Sequence, residues 1–319
     1  MMQITYLLSE SFPYEKTIHA DAGPGYARRQ KWPTAPLSAL ADAANHGPVI
    51  IDNRIVDAEM AHLSALWSRQ RNPGPRYLKV VDPYWECIRQ PYYRWLLGLT
   101  RFPNVCFVGP YQATGMTKLL TDLSRPDAYV HLPYAYENER ELTLDPKQRS
   151  RFLAFTGAVH PDFYPERTAV LRAMRRHWWA ARKVSVLPHP GYPDVGHVPK
   201  HTITGENYLR FLAAHRFMYL DPSRESLEFL KYSECAYAGC VPVGRAPVTF
   251  PPELRESVLP LEAAHLRRDL RQLAATASAA CEQTASLYRE RLRRARDPDL
   301  LNAELIAHYS AQIKRLGAS

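Results

Sequence analysis

The sequence predicts an α/β fold of two lobes, each an open parallel sheet with helices on both faces, followed by a helical C-terminal extension. Three observations carry that expectation. Strand-length apolar runs alternate with helix-length segments along most of the chain. A length of 319 residues exceeds what one core usually serves, and suits two lobes of about 150 residues. From His265 onward the strand-like runs give way to helical sequence.

In the first half the runs QITYLLS (3–9), PVIIDN (48–53), YLKVVD (77–82), NVCFVG (104–109) and AYVHLP (128–133) read as strands. Each is rich in Val, Ile, Tyr or Phe and bounded by Pro, Gly, Asn or Asp. Between them, APLSALADAANHG (35–47), ending on Gly47 as a C′ residue, and DAEMAHLSALWSRQ (57–70) read as helices. This defines an N-terminal lobe, 1–140. The polar stretch ENERELTLDPKQRS (137–150) has no apolar period, which places an interlobe linker at 141–150.

A second alternation fills 151–264. RFLAFTGAV (151–159) is expected as a strand, ERTAVLRAMRRHWWAA (166–181) as a helix entered through Pro165, and KVSVLP (183–188) as a strand. NYLRFLAAH (207–215) is expected as a helix, RFMYLDP (216–222) as a strand, SLEFLKYSECAYAG (226–239) as a helix and CVPVG (240–244) as a short strand. The remainder, 265–319, is expected to be helical, broken at Asp297-Pro298, and to pack back across the lobes.

A hydrophobic content of 46% with 23% charged residues is that of a folded domain. No apolar run reaches the roughly 20 residues of a membrane span, and the start MMQITYLLSESFPYEK lacks a basic n-region, so a cytoplasmic protein is expected. Cys87, Cys106, Cys235, Cys240 and Cys281 show no CxxC spacing, which points to buried thiols rather than disulfides or a zinc knuckle. A formal net charge of +9 favours an anionic partner: a nucleotide, a phosphorylated acceptor, the surface of an anionic membrane or nucleic acid. Much of the excess lies in RAMRRHWWAARK (172–183) and YRERLRRAR (288–296), where a solvated basic face is the alternative.

In open α/β sheets ligands sit beyond the carboxyl ends of the strands, where helix N-termini present amides to anions. MYLDPSRESLEFLKYSECAYAGCVPV suits that geometry, with a strand ending at Leu220, a loop DPSRES and a helix running to Gly239. Amides near Glu225 to Glu228 are expected to face a diphosphate, with Ser223 and Arg224 adding a hydroxyl and a guanidinium. Leu227, Lys231, Glu234 and Ala238 fall on one face of such a helix. A carboxylate there can accept both ribose hydroxyls and a lysine can balance phosphate charge; an ordinary i,i+3 ion pair is the alternative.

The pattern K-x-x-E-x-A-x-A-G-C-V-P-V, in Lys231, Glu234, Ala236, Ala238, Gly239, Cys240, Val241, Pro242 and Val243, resembles the E-A-x-A-x-G-x-P-V signature of the group 1 glycosyltransferases of GT-B type. It is especially similar to their spore-protein CgeB-like branch, which carries R-x-F-E-A-x-A-x-G after a Ser-Arg-rich loop. The resemblance implies two Rossmann-like lobes, a ribose-binding role for Glu234, Lys231 in place of the family's arginine, and Ser223 and Arg224 in a loop facing the diphosphate sugar. Many relatives carry a further glutamate eight residues before the ribose glutamate. Here Ser226 holds that donor-binding position, beside Glu225, so the retaining E-x7-E assignment does not carry over directly. FLAFTGAVHPDFYPERTAVLRAM resembles the segment opening the C-terminal lobe of the same enzymes, with Gly157 allowing close approach of the donor phosphates and Arg167 reaching them. The resemblance covers roughly 128–245, and 1–127 matches in architecture alone.

The N-terminal lobe is expected to hold the acceptor. After its first strand, Gly23-Pro24-Gly25 followed by Arg28, Arg29 and Lys31 forms either an acceptor or phosphate loop or a plain surface loop. An inverting enzyme needs a base, for which Asp82 ranks first, ending a strong strand before Tyr84 and Trp85; Asp52, His19 and His131 follow. A retaining enzyme needs none, and retention is slightly favoured. His189, His197 and His201 lack a carboxylate cluster, and with no DxD triplet no metal or other cofactor is expected. The leading expectation is sugar transfer from a nucleotide-diphosphate sugar to a hydroxyl of a glycan or lipid-linked acceptor. The alternative is a basic nucleic-acid-binding or base-glycosylating protein, although no helix-turn-helix, RRM or finger pattern is present.

Overall fold

The structure, a computed structural model, describes residues 2–14, 23–69, 74–81, 91–112, 125–142, 149–177, 182–191 and 201–317. The chain divides into two compact units, one of residues 1–135 with 296–319 and the other of residues 136–295. The α/β class and two parallel sheets expected from the sequence are both present.

The first unit holds β1 (Thr5–Leu8), β2 (Thr34–Pro36), β3 (Val49–Ile51), β4 (Arg76–Lys79), β5 (Val105–Gly109) and β6 (Tyr129–His131), in the order β2-β1-β3-β4-β5-β6, all parallel. Period-2 alternation sorts its side chains. Leu7, Val49, Ile51, Leu78, Val105 and Phe107 pack into one core with the helices Leu40–Ala43, Asp57–Arg69 and Pro91–Leu99. On the other side Tyr6, Tyr26 and Trp32 cluster, and the helix Pro298–Gly317 is tied in by polar contacts. Trp32 Nε1 donates to Asn302 Oδ1 at 2.6 Å. His308 Nε2 lies 2.8 Å from the Asp127 carbonyl, which only accepts, so Nε2 carries the proton and Nδ1 accepts from the Tyr77 hydroxyl at 2.8 Å. The helix starts where the sequence breaks it: Pro298 occupies the first turn and Asp297 Oδ1 accepts from Asp299 N at 2.8 Å.

The second unit holds β7 (Arg151–Gly157), β8 (Val184–Pro188), β9 (His215–Leu220), β10 (Val241–Gly244) and β11 (Leu259–Pro260), in the order β11-β10-β9-β7-β8, all parallel. Leu153, Phe155, Phe217 and Tyr219 face the helices Pro165–Arg176 and Leu266–Ala275, whereas Ala154, Met218 and Leu220 face the helices Gly205–Ala213, Lys231–Tyr237 and Ser278–Ala295. Because β7 lies between β8 and β9, the chain leaves β7 over one face and β9 over the other. The carboxyl ends of β7 and β9 are therefore the switch point of this sheet.

Several elements depart from expectation. The predicted helix 35–47 yields β2, a short 3-10 turn and a helix of only Leu40–Ala43. Gly23-Pro24-Gly25 opens the helix Pro24–Arg29, because Pro24 presets the φ of a first helical turn whose amide has no partner in any case. The helix expected over 226–239 is confined to Lys231–Tyr237. The tail helix is interrupted at Thr276, which is extended (φ −69°, ψ 124°) and lets Leu273 and Cys281 reach the same core.

The N-terminal unit contains an ion pair, Asp52–Lys79, with both side chains fully buried and 3.2 Å apart. Asp52 also accepts from the hydroxyls of Tyr6 and, at 2.9 Å, Tyr14, and from Arg54 N at 2.8 Å. Burial alone pushes the Asp52 carboxyl up, but the Lys79 charge and these hydrogen bonds outweigh it and hold it below the usual carboxylate range. Lys79 in turn lies over the rings of Tyr26 (4.7 Å) and Tyr6 (5.5 Å). Lys79→Met, which leaves the carboxylate buried without its counter-charge, is expected to destabilise the protein by about 3–5 kcal/mol. Adding Asp52→Asn should recover part of that loss, because an amide oxygen still accepts the tyrosine bonds without a net charge. Urea denaturation of the single and double variants measures this, and equal costs would refute it.

Candidate functional site

The site is built where β7 and β9 end. Gly157, the last residue of β7, has φ +104°, a conformation that glycine adopts readily. A methyl group at 157 would lie 2.6 Å from Lys231 Nζ and 3.1 Å from Arg167 Nη1, so glycine is what allows two cationic side chains to meet over this backbone. They come from opposite faces of the sheet, Arg167 from the first turn of Pro165–Arg176 and Lys231 from the first residue of Lys231–Tyr237.

Each cation is held. Buried Arg167 donates through Nη1 to Ala158 O at 3.1 Å and through Nη2 to Asp221 O at 2.9 Å, and its guanidinium lies 4.4 Å from the centre of the Tyr164 ring. Asp221, just past β9, has its carboxyl pushed up by burial, which the Arg167 charge partly offsets. Lys231 Nζ donates to Thr156 Oγ1 at 3.0 Å, and Thr156 Oγ1 is 2.7 Å from the Tyr208 hydroxyl. Burial and the Arg167 charge pull the Lys231 ammonium down to about 7, with the Glu234 carboxylate opposing them. Glu234, one turn along the helix, also bears on Tyr208, whose hydroxyl is pushed up by burial and by that carboxylate.

Gly157, Arg167, Lys231 and Glu234 are thus gathered at one strand end, and buried Ser223 follows two residues after Asp221. The rest of the loop turns to other contacts. Arg224 lies over the Phe163 ring (5.1 Å), donates to Asp162 O at 3.2 Å and pairs with Glu225 at 3.5 Å. Ser226 Oγ accepts from Val248 N at 2.9 Å. The amides of Ser226 and Leu227 are spent on Ser223 O and Pro222 O, so these turn amides do not form the diphosphate-facing helix start expected at 225–228. Leu227 is accordingly not on the Lys231–Glu234 helix.

Thr156 and Tyr208 were not anticipated. Thr156 sits in FTG and Tyr208 in NYLRFLAAH, but nothing in the order of residues joins positions 52 apart; the packing of the helix Gly205–Ala213 against β7 does so.

In the first unit, Gly23 receives the Tyr26 and Ala27 amides on its carbonyl, Gly25 is buried and Arg28 is exposed. Asp82, His19, Tyr84, Trp85 and His197 lie outside the described residues. Asp52 is committed to Lys79, and His131 Nε2 is 3.1 Å from Pro110 O. His189 Nδ1 accepts from Gly191 N at 3.0 Å and His201 Nε2 lies 2.7 Å from Pro188 O. Among the described residues no group of three His, Cys, Asp or Glu side chains is placed to hold a metal ion, and no helix is long and apolar enough to cross a membrane.

Burial of Lys231, with the Arg167 charge beside it, costs the free protein stability while the lysine is protonated. The pKa of Lys231 in the folded state lies below the roughly 10.4 of an unfolded lysine, so the unfolded chain binds more protons between about 7 and 10.4. This group therefore makes stability rise with pH across that window, its full penalty being felt below pH 7. Lys231→Met should remove that rise and be more stable than wild type at pH 6.5, as read from urea midpoints; identical pH slopes in the two proteins would refute the assignment.

No protein-family model matches the chain, and comparison with curated proteins finds no match. Solved structures do. An α-glucosyltransferase solved with UDP and a 13-mer DNA containing an HMU base is 8% identical at a TM-score of 0.63, covering 97% of this chain and 99% of its own. HepE from Anabaena, solved with UDP and glucose, is 10% identical at a TM-score of 0.58, covering 98% of this chain and 100% of its own. A UDP-forming α,α-trehalose-phosphate synthase from Burkholderia xenovorans is 12% identical at a TM-score of 0.55, covering 90% and 78%. The likeness runs along nearly the whole chain and shows that its fold is the two-lobed GT-B fold of these glycosyltransferases.

Proposed function

We propose that the chain is a glycosyltransferase that takes its sugar from a nucleotide-diphosphate donor bound at the ends of β7 and β9. The observation that carries this reading is the meeting of Arg167 and Lys231 over Gly157. A diphosphate bound there neutralises two charges that otherwise repel each other, and the absent side chain at 157 gives its oxygens access to the backbone. Glu234, one turn beyond Lys231, is suited to accept the two ribose hydroxyls. In the transfer step the bond from the sugar's anomeric carbon to the diphosphate oxygen breaks and a bond from that carbon to the acceptor's hydroxyl oxygen forms; negative charge grows on the leaving phosphate, which takes the hydroxyl proton in a retaining reaction, while a base takes it in an inverting one. Arg167 and Lys231 would stabilise that charge, which supports a step without a divalent metal. Thr156 and Tyr208 orient the lysine. The solved relatives whose complexes contain UDP support a uridine nucleotide as the first donor to try.

The acceptor is proposed to be a hydroxyl of a glycan or lipid-linked molecule, with retention favoured over inversion; an inverting reaction would draw on Asp82 as base. A nucleotide thermal-shift series tests the donor site. UDP, or another nucleoside diphosphate of the series, should stabilise wild type saturably, and Glu234→Ala should weaken that binding about tenfold or more, by the loss of charged hydrogen bonds. No stabilising nucleotide, or equal stabilisation of the variant, would sink the assignment.

A second acceptor class, a base in DNA, is favoured by one feature. The helices Pro165–Arg176 and Leu266–Ala275 pack together on one face of the sheet and expose Arg172, Arg175, Arg176, Arg267, Arg268 and Arg271. If these arginines follow a phosphate backbone, duplex binding should fall steeply with salt, and Arg172→Gln/Arg271→Gln should flatten the slope by about two phosphate contacts. An unchanged slope in a fluorescence-anisotropy titration removes this class.

A further inference from the structure

The helix Lys231–Tyr237 ends, away from the site just described, at a second meeting of cations. Arg149 Nη1 donates to Ala238 O at 3.2 Å and to His215 O at 3.3 Å, and Arg289 Nε donates to Ala236 O at 3.0 Å. The bond to Ala238 O satisfies a carbonyl that the helix end leaves open. These bonds do not use the whole of either guanidinium. Gly239, at φ +64°, lies beneath both: a methyl group there would be 2.5 Å from Arg149 Nη2 and 2.7 Å from Arg289 Nη2. The two groups line a cavity of about 150 Å³ together with Leu142, Glu282, Ala285 and Ser286.

The charges around this cavity do not balance. Glu282 pairs with the buried Arg149 at 3.1 Å, while Glu141 is shared between Arg289 at 3.7 Å and Arg293. Three guanidiniums thus have two carboxylates among these pairs, and one of the carboxylates, Glu282, is a third exposed and able to move aside. Two arginine forks converging on one point are suited to a tetrahedral oxyanion. The space is large enough for such an ion.

We propose that this cavity is a second anion site, selective for a phosphate group and held by Arg149 and Arg289. It sits at the opposite end of the short helix that carries Lys231 and Glu234, and it does not depend on the donor reading.

Thermal shift of the full chain in inorganic phosphate, against chloride at matched ionic strength, tests this, with glycerol phosphate as a parallel probe for an esterified group. Wild type and Lys231→Met should both be stabilised saturably by at least one of the two probes. Arg289→Gln should bind about tenfold more weakly or worse. Ser286→Glu, an exposed change that puts a carboxylate at the cavity, should lose binding even if Arg289→Gln does not fold. Absence of saturable stabilisation by both probes overturns the proposal. So does loss of the response in Lys231→Met, which would assign it to the other site, or retention of wild-type affinity in both Arg289→Gln and Ser286→Glu.

Discussion

Like charges brought together inside a protein need a reason, and in the C-terminal unit the reason is the crossing of the chain at β7. Arg167 and Lys231 approach over Gly157 because the helices that carry them leave adjacent strands toward opposite faces of one sheet. Burial first, and the Arg167 charge with it, lower the affinity of Lys231 for its proton, so the arrangement costs free energy in the empty protein. It persists because each cation is anchored independently, Arg167 on the carbonyls of Ala158 and Asp221, Lys231 on Thr156. Under the proposed donor reading, an anion bound there would offset this cost, which is why the arrangement suits binding rather than folding.

The N-terminal unit has the same strand order around β1 and β3 and resolves the charges there differently. Its lysine, Lys79, meets a carboxylate of its own, and Asp52 is further satisfied by two tyrosines and a backbone amide. In that network the lysine's nearest charge is a carboxylate, whereas Lys231 also has the Arg167 cation beside it. Asp52 is thereby removed from the set of available bases, even though its place after a strand is where one would look for a base. The Ser9–Tyr14 turn rests on the same network: Tyr14 reaches Asp52, and Ser9 Oγ donates to Glu59 Oε2 at 2.7 Å. These polar groups hold the Ser9–Tyr14 segment after β1.

What the sequence made legible follows from how local each signal is. Strands β1 and β3 to β10 are readable because a short Val-, Ile-, Tyr- or Phe-rich run between turn residues has few other uses. Gly157 and Arg167 were legible because glycine at a strand end and arginine in the next first turn are both fixed by local geometry. Thr156 and Tyr208 were not, since their contact exists only through the register of separate elements. The helix at 35–47 was overcalled because Ala and Leu favour helix anywhere, while pairing of Thr34–Pro36 with β1 is a tertiary event that overrides propensity.

The late start of the helix at Lys231 is the most informative of these departures. Helical propensity carries SLEFLKYSECAYAG as one helix from 226, yet Ser223 and Ser226 adopt φ +68° and +58°, which side-chain-bearing residues enter at a cost. The loop is held in that form from several directions: Arg224 N on Phe163 O, Leu227 N on Pro222 O and Val248 N on Ser226 Oγ. Had the helix begun at 226, Lys231 would lie more than a turn inside it. Confining the helix to Lys231–Tyr237 brings the lysine to its first turn, where Nζ reaches Thr156 and the space beside Gly157. The strain in the two serines is thus tied to the position of the lysine, and the cationic site depends on a loop that local propensity alone would have replaced with helix.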